Sequence, residues 1–337
     1  MTKTPPFGTC WAILPRVSRS FALVIRWLPR RLDDAVMVSY LICRIADTIE
    51  DSLRPLPEKR RLLAAFADGL DSGRPEMPAD GYPGEYRCLM SRTDEVLECY
   101  RSLPPAARDI IRARVREMCS GMSRWCDREI RTLSDQNDYC YYVAGLVGLM
   151  LTDLFLAYGH VKERHHDQLR ALAADFGLAL QKVNILRDLR ADLLEGRCYW
   201  PSEILERHGL SPATVLIPGN VERALAAMKD LVEDHWAYLW KALRYLMQLP
   251  LGQLRLRIFC AIPLFMAEST VRFCEGNPAV FLGPRPVKIP GAQVRGIVMR
   301  ALSLGSCNSY LQSWFRRWRR GILDRVSPFH AVASLLP

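Results

Sequence analysis

The stretch from Gln181 to Pro201, QKVNILRDLRADLLEGRCYWP, limits what this chain can fold into more than any other. No Pro or Gly interrupts it before Gly196, and Ile185, Leu189 and Leu193 recur at helical spacing, so the segment is expected to be a helix that stops at Gly196. On that helix Gln181, Asn184, Asp188 and Asp192 fall in one line on one face. Two carboxylates one turn apart repel. Either solvent screens them or a divalent cation neutralises them, and Mg²⁺ is usually held by one or two carboxylates together with substrate phosphates. Asp at i and i+4 is also common on exposed helices, so this motif alone leaves both readings open.

A second helix carries the same signature. Asp33 and Asp34 are expected to cap it, and it runs through AVMVSYLICRIADTIEDS until Pro55 and Pro57 stop it. Val38, Ile42, Ile45 and Ile49 form an apolar stripe suited to a core. On the other side stand Tyr40, Arg44, Asp47 and Asp51, with Glu50 beside them, a set that fits the wall of a polar pocket. Facing each other, the two acidic helices would hold Mg²⁺ ions around a diphosphate and make it a better leaving group. The carbocation left behind requires a dry apolar cavity.

The remaining segments supply candidates for that cavity. Ser18 to Phe21, SRSF, precedes a predicted helix and reads as an anion contact or a plain N-cap. In Asp138 to Phe155, Ala144, Gly145 and Gly148 let another group approach the backbone. That group is a neighbouring helix or an apolar substrate tail, with Tyr139 presenting a phenol in the second case. Ser72 to Gly84 reads as a loop, and two helices between Thr93 and Arg131 break near Pro104 and Pro105. Val221 to Leu249 is amphipathic, while Phe259 to Thr270, FCAIPLFMAEST, is an apolar helix bent by Pro263. Lys288 offers an anion contact in a loop from Gly276 to Gly291. In the tail, Trp314, Phe315 and Trp318 stand among Arg316, Arg317, Arg319 and Arg320, which suits an anionic membrane surface or an ordinary docked terminal helix.

Composition narrows the setting. With 337 residues, 50% hydrophobic and 24% charged, the chain is expected to form one domain over 1–337, with a basic aromatic tail from about residue 300. A formal net charge of +10 points to an anionic partner. No zinc-finger, helix-turn-helix or RNP signature accompanies the arginines, so nucleic acid is not the expected partner. The 11 cysteines are scattered without a CxxC pair, as in a reduced cytoplasmic protein. The N-terminus lacks the apolar core of a signal peptide. Neither apolar run reads as a membrane span: Val143 to Tyr158 contains Asp153 and is short, and Ile258 to Val271 is broken by Pro263 and Glu268.

Five motifs stand in order along the chain: SRSF, DTIED (Asp47 to Asp51), YCYYVAGLVG (Tyr139 to Gly148), QKVNILRDLRAD (Gln181 to Asp192) and FCAIP (Phe259 to Pro263). This set, over about residues 15 to 291, resembles the squalene/phytoene synthase family of head-to-head trans-isoprenyl diphosphate synthases, and DTIED and FCAIP are more like its squalene-forming branch. The resemblance implies an all-α isoprenoid-synthase bundle around a central apolar cavity. It implies Mg²⁺-dependent condensation of two farnesyl diphosphates to presqualene diphosphate, followed by reduction with NADPH to squalene. An enzyme that stops at presqualene diphosphate or makes dehydrosqualene is the alternative.

Carried onto this sequence, the resemblance assigns Mg²⁺ to Asp47, Glu50, Asp51, Asp188 and Asp192, with Asn184 and Gln181 assisting. Ser18, Arg19, Ser20, Arg44 and Arg187 would contact diphosphate, and Arg19, Arg44, Arg187 and Lys288 the phosphates of NADPH. Tyr139 would accept a proton or stabilise a cation, Phe21 and Phe259 would shield cations with their ring faces, and Tyr40, Val143 and Gly148 would line the substrate pocket. Ser52 stands where the family often has a further Asp, and Ile289, Pro290 and Gly291 replace basic residues of the eukaryotic type. The C-terminal membrane span of those enzymes has no counterpart in the sequence, so membrane contact is expected to be peripheral, through the tail. No protein partner is implied.

Overall fold

A 32-residue helix, Glu163–Leu194, forms the axis of the molecule, about 48 Å long at 1.5 Å per residue. The computed structural model describes residues 7–72, 78, 80–82, 84 and 86–323. In chain order the helices are α1 (Phe7–Val17), α2 (Arg19–Ile25), α3 (Leu32–Glu50), α4 (Leu56–Ser72), α5 (Arg87–Met90), α6 (Thr93–Arg101), α7 (Pro105–Trp125) and α8 (Leu133–Cys140). They continue as α9 (Leu146–Ala157), α10 (Glu163–Leu194), α11 (Ser202–Arg207), α12 (Val221–Gln248), α13 (Leu254–Cys274), α14 (Ala279–Leu282), α15 (Gly291–Leu304) and α16 (Asn308–Leu323). Among the described residues all regular structure is helical, as expected.

α10 packs against α8, α9, α12, α13 and α14. Its close approach to α9 depends on two glycines. A Cβ on Gly148 would lie 2.0 Å from the Ala173 carbonyl oxygen, and one on Gly177 would lie 2.1 Å from that of Ala144. A neighbouring helix is therefore what the small residues admit at Gly148. Between α8 and α9 the chain makes one π turn, Tyr141–Gly145, which adds a residue to the helical turn and shifts the face that follows. The π turn joins α8 and α9 into one continuous helix, Leu133–Ala157, which by length and composition alone could cross a membrane although its first turns, Ser134 to Asp138, are polar. The continuous helix is longer than the run from Val143 to Tyr158 read in the sequence, and it packs between α7 and α10.

α3 buries the predicted stripe of Val38, Ile42, Ile45 and Ile49 completely. Asp33 and Asp34 do not cap it: Arg31 occupies the cap position without a side-chain bond, and both aspartates lie in the first turn, where they favour the helix dipole. Asp34 accepts a hydrogen bond from Trp11 Nε1 at 2.8 Å. At the other end of the chain, Trp314 stacks on Phe265 with ring centroids 3.6 Å apart, and Phe315 packs against Trp236 and Trp240. These aromatics dock α16 on the core, as the second of the two tail readings has it; the side chains of Arg317, Trp318, Arg319 and Arg320 lie outside the described residues. Arg257, fully buried, donates to the carbonyls of Leu246, Leu249 and Gly305, so its charge rests on helix C-termini.

Candidate active site

α10 ends in a Schellman turn. Gly196 takes φ 77°, the Gly196 N–H donates to Leu193 O at 3.1 Å, and the Arg197 N–H donates to Asp192 O at 2.8 Å. The turn sends Arg197 to Trp200 back across the carboxylate end of the bundle, where Trp200 Nε1 donates to Ile185 O at 3.1 Å and anchors the segment.

A cleft of about 470 Å³ opens there. α3 contributes Tyr40, Arg44, Asp47, Glu50 and, at its C-cap, Asp51; α10 contributes Gln181, Asn184, Arg187, Asp188 and Asp192. The two acidic helices thus face one chamber. Ser18, Ser20 and Phe21 enter at the start of α2, with Ser18 Oγ also accepting the Phe21 N–H at 3.2 Å, so the serine both caps the helix and lines the cleft. Tyr139 and Val143 enter from α8 and the π turn. α13 adds Pro263, Met266, Ala267 and Thr270.

Each acidic pair is held in check by arginine. Arg44 Nη1 lies 3.6 Å from Asp47, Arg44 Nη2 donates to Tyr40 OH at 3.2 Å, and the guanidinium lies over the rings of Tyr40 and Tyr86. Against burial, which disfavours its charge, Tyr40 and Asp47 hold the Arg44 pKa up. Arg187 makes a two-pronged contact with Asp188, one arm at 2.8 Å, and Arg197 pairs with both Asp51 and Glu195. Desolvation pushes Asp47 up to about 7 despite Arg44, with Asp51 adding to the rise. Desolvation and Asp188 push Asp192 up to about 7 against Arg197. Burial raises the Glu50 carboxyl strongly, helped by Asp51 and Asp47.

Such crowding suits a hard cation. All the donors are carboxylate or amide oxygens, the set that Mg²⁺ prefers. Among the described residues no three acidic, His or Cys side chains converge as a closed metal site. An arrangement of this kind leaves coordination positions for phosphate oxygens. The residues present therefore fit a Mg²⁺–diphosphate group better than a permanently caged ion.

Deeper in the wall, Tyr139 stacks on Tyr199 with centroids 4.8 Å apart, and Trp125 meets Tyr139 edge-on. Burial, then Glu50 and Tyr199, raise the Tyr139 phenol well above its ordinary value, so it is a neutral hydroxyl. Phe21 lies against Tyr40 at 5.3 Å.

Three of the residues carried over by resemblance lie off this wall. Gly148 is occupied by Ala173, Phe259 is buried edge-on to Phe155, and Lys288 is exposed between α14 and α15. The Arg19 side chain lies outside the described residues. Conversely, Tyr86, Arg197, Tyr199 and, from α13, Met266, Ala267 and Thr270 line the cleft without having been singled out. The Gly196 helix stop was the available signal for Arg197, because a Schellman turn returns the chain over the helix end. For Tyr86 no local signal exists.

Residues 14–293 match the squalene/phytoene synthase family. The chain is 34% identical over 312 residues to the squalene synthase of Schizosaccharomyces pombe, covering 90% of this chain and 67% of that protein. It is 34% identical over 287 residues to squalene synthase 1 of Arabidopsis thaliana, covering 83% and 68%. The solved complex of TcSQS with the ligand E5700 superposes with a TM-score of 0.87 at 30% identity, covering 96% of this chain and 93% of that one. With two acidic helices on one cleft and a family match over most of its length, the chain belongs to the squalene/phytoene synthase family.

Proposed function

We infer that the protein is a squalene-forming farnesyltransferase that joins two farnesyl diphosphates head to head to presqualene diphosphate and reduces this to squalene with NADPH. The observation that carries the reading is the meeting of Asp47 and Asp51 with Asp188 and Asp192 on one cleft that Phe21, Val143, Leu180, Pro263 and Met266 also line. The names of the similar proteins support the same reaction.

Mg²⁺, when bound, neutralises the charge that develops on the departing diphosphate. Asp47, Asp51, Asp188 and Asp192 would hold it, with Glu50 behind them and Asn184 and Gln181 alongside. Arg44 and Arg187 bind diphosphate oxygens by exchanging Asp47 and Asp188 for phosphate, a bidentate partner that guanidinium matches well. Ser18 and Ser20 supply hydroxyl donors at the same edge. Phe21, Val143, Leu180, Pro263 and Met266 exclude water from the prenyl chains, since a carbocation in contact with water is quenched. Tyr139, kept neutral, offers a dipole and lone pairs to the reacting carbons, while the proton lost on cyclopropane closure passes to the departed diphosphate, the stronger base in the cleft. NADPH would dock against the Arg44 and Arg187 edge.

The test is product analysis. Labelled farnesyl diphosphate with Mg²⁺ is expected to give presqualene diphosphate alone, and squalene when NADPH is added. A product that NADPH leaves unchanged replaces this reading with that of a synthase lacking the reductive half.

A further inference from the structure

The connections at the end of the bundle remote from the carboxylates share one composition. α3 rises about 28 Å from its first residue to its last, so the turn before it lies far from Asp47 and Asp51. Three more connections meet that turn. Tyr158, after α9, feels the charges of Arg31 and Asp34; His160 bonds to Gln253 between α12 and α13; and Arg257 donates to both Leu249 O and Gly305 O, tying the α12–α13 turn to the α15–α16 turn. The four stretches are 26–31 (RWLPRR), 157–162 (AYGHVK), 249–255 (LPLGQLR) and 303–308 (SLGSCN), and none contains Asp or Glu.

Their side chains point two ways of the same kind. Trp27 is 37% exposed, Leu251 60%, Leu254 41% and Leu304 36%, while Arg30 and Arg255 are exposed beside them. Glu163, which follows the second stretch, is exposed but flanked in sequence by the exposed Lys162 and Arg164; Asp33 and Asp34 are only half-exposed, and Asp34 is taken by Trp11. We propose that this end of the molecule docks on an anionic lipid bilayer. Arginines draw it to a negative surface, and a tryptophan with three leucines enters the headgroup region. The length of α3 holds the catalytic carboxylates well beyond the Debye length of about 8 Å from that surface, so they do not oppose the contact. If the reaction is the one inferred above, the face also sets the enzyme against the phase that dissolves its hydrocarbon product; that clause rests on the proposed function, whereas the docking rests on the four turns.

The test is co-sedimentation of the full chain with vesicles of phosphatidylcholine, with or without phosphatidylglycerol. Binding is expected only with phosphatidylglycerol and is expected to weaken in high salt. Trp27→Ser with Leu251→Ser, and separately Arg30→Glu with Arg255→Glu, should each weaken it at least about tenfold. Melting temperature and turnover of soluble farnesyl diphosphate should stay unchanged. Undiminished binding by the charge-reversed pair, or equal binding to neutral vesicles, overturns the proposal. So does an equal loss from Arg316→Glu on α16, or a change of oligomeric mass in the variants in place of a change in vesicle binding. Intact docking without a hydrocarbon product supports the face and refutes only the reaction.

Discussion

Arg197 and Asp51, 146 positions apart in the chain, are paired across the polar end of the cleft. The contact joins the segment after α10 to the C-cap of α3, and it supplies one of the few positive charges among the carboxylates. Removing it exposes their repulsion. Arg197→Gln is expected to lower the melting temperature of the metal-free protein by several degrees, and Mg²⁺ should restore more stability to the variant than to the parent. Thermal denaturation with and without Mg²⁺ measures both; equal Mg²⁺ shifts would show that Arg197 does not share the cation's role.

Asp47→Asn and Asp188→Asn each remove one charge from a crowded wall without altering shape. Turnover should fall at least about 100-fold, equivalent to about 3 kcal/mol of barrier. The metal-free fold should change little in stability, because the repulsion relieved beside Asp51 or Asp192 offsets the lost pairing with Arg44 or Arg187. Steady-state kinetics and a melting curve check the pair of outcomes, and a variant that unfolds would show these residues to be structural.

Gly148→Ala places a methyl group 2.0 Å from the Ala173 carbonyl, where backbone has to move. The expected cost is about 2–4 kcal/mol. Gly296→Ala, within α15 and with nothing inside 4 Å of the added carbon, should stabilise by about 0.5–1 kcal/mol. Denaturant unfolding of the two variants in parallel separates close helix approach from simple helix propensity.

Glu268, 1% exposed in α13, has neither carboxylate oxygen hydrogen-bonded, and burial pushes its pKa up to about 8 despite Arg272 and Arg300. The folded pKa lies above the unfolded value of about 4.3, so the stability linked to this group is complete below the unfolded value and declines as pH rises to about 8. Glu268→Gln removes that decline. The variant should match the parent near pH 4 and exceed it by about 2–4 kcal/mol above pH 8. Urea titrations at the two pH values decide it; parallel declines would show that another group is responsible.

Much of this was readable in the chain. The stop at Gly196, the breaks at Pro104 and Pro105, and the buried stripe of α3 follow from local rules, since helix punctuation and periodicity act over a few residues. The cap of α3 was misread because Asp33 and Asp34 are good caps in isolation, whereas tertiary packing begins the helix at Leu32 and gives Asp34 to Trp11. The helix that holds the apolar run from Val143 extends back to Leu133 because a π turn, invisible to a 3.6-residue period, joins α8 to α9.

Helix periodicity alone placed Asp47 with Asp51 and Asp188 with Asp192 on single faces, because residues four apart must share a side. That those faces look into one cleft, that Arg197 and Tyr199 return to it, and that the aromatics of α16 turn inward to Phe265, Trp236 and Trp240 were settled only in three dimensions. Contacts between elements depend on packing volumes and helix approach, such as the glycine-to-carbonyl fit of α9 on α10, and such contacts have no period for a linear pattern to carry.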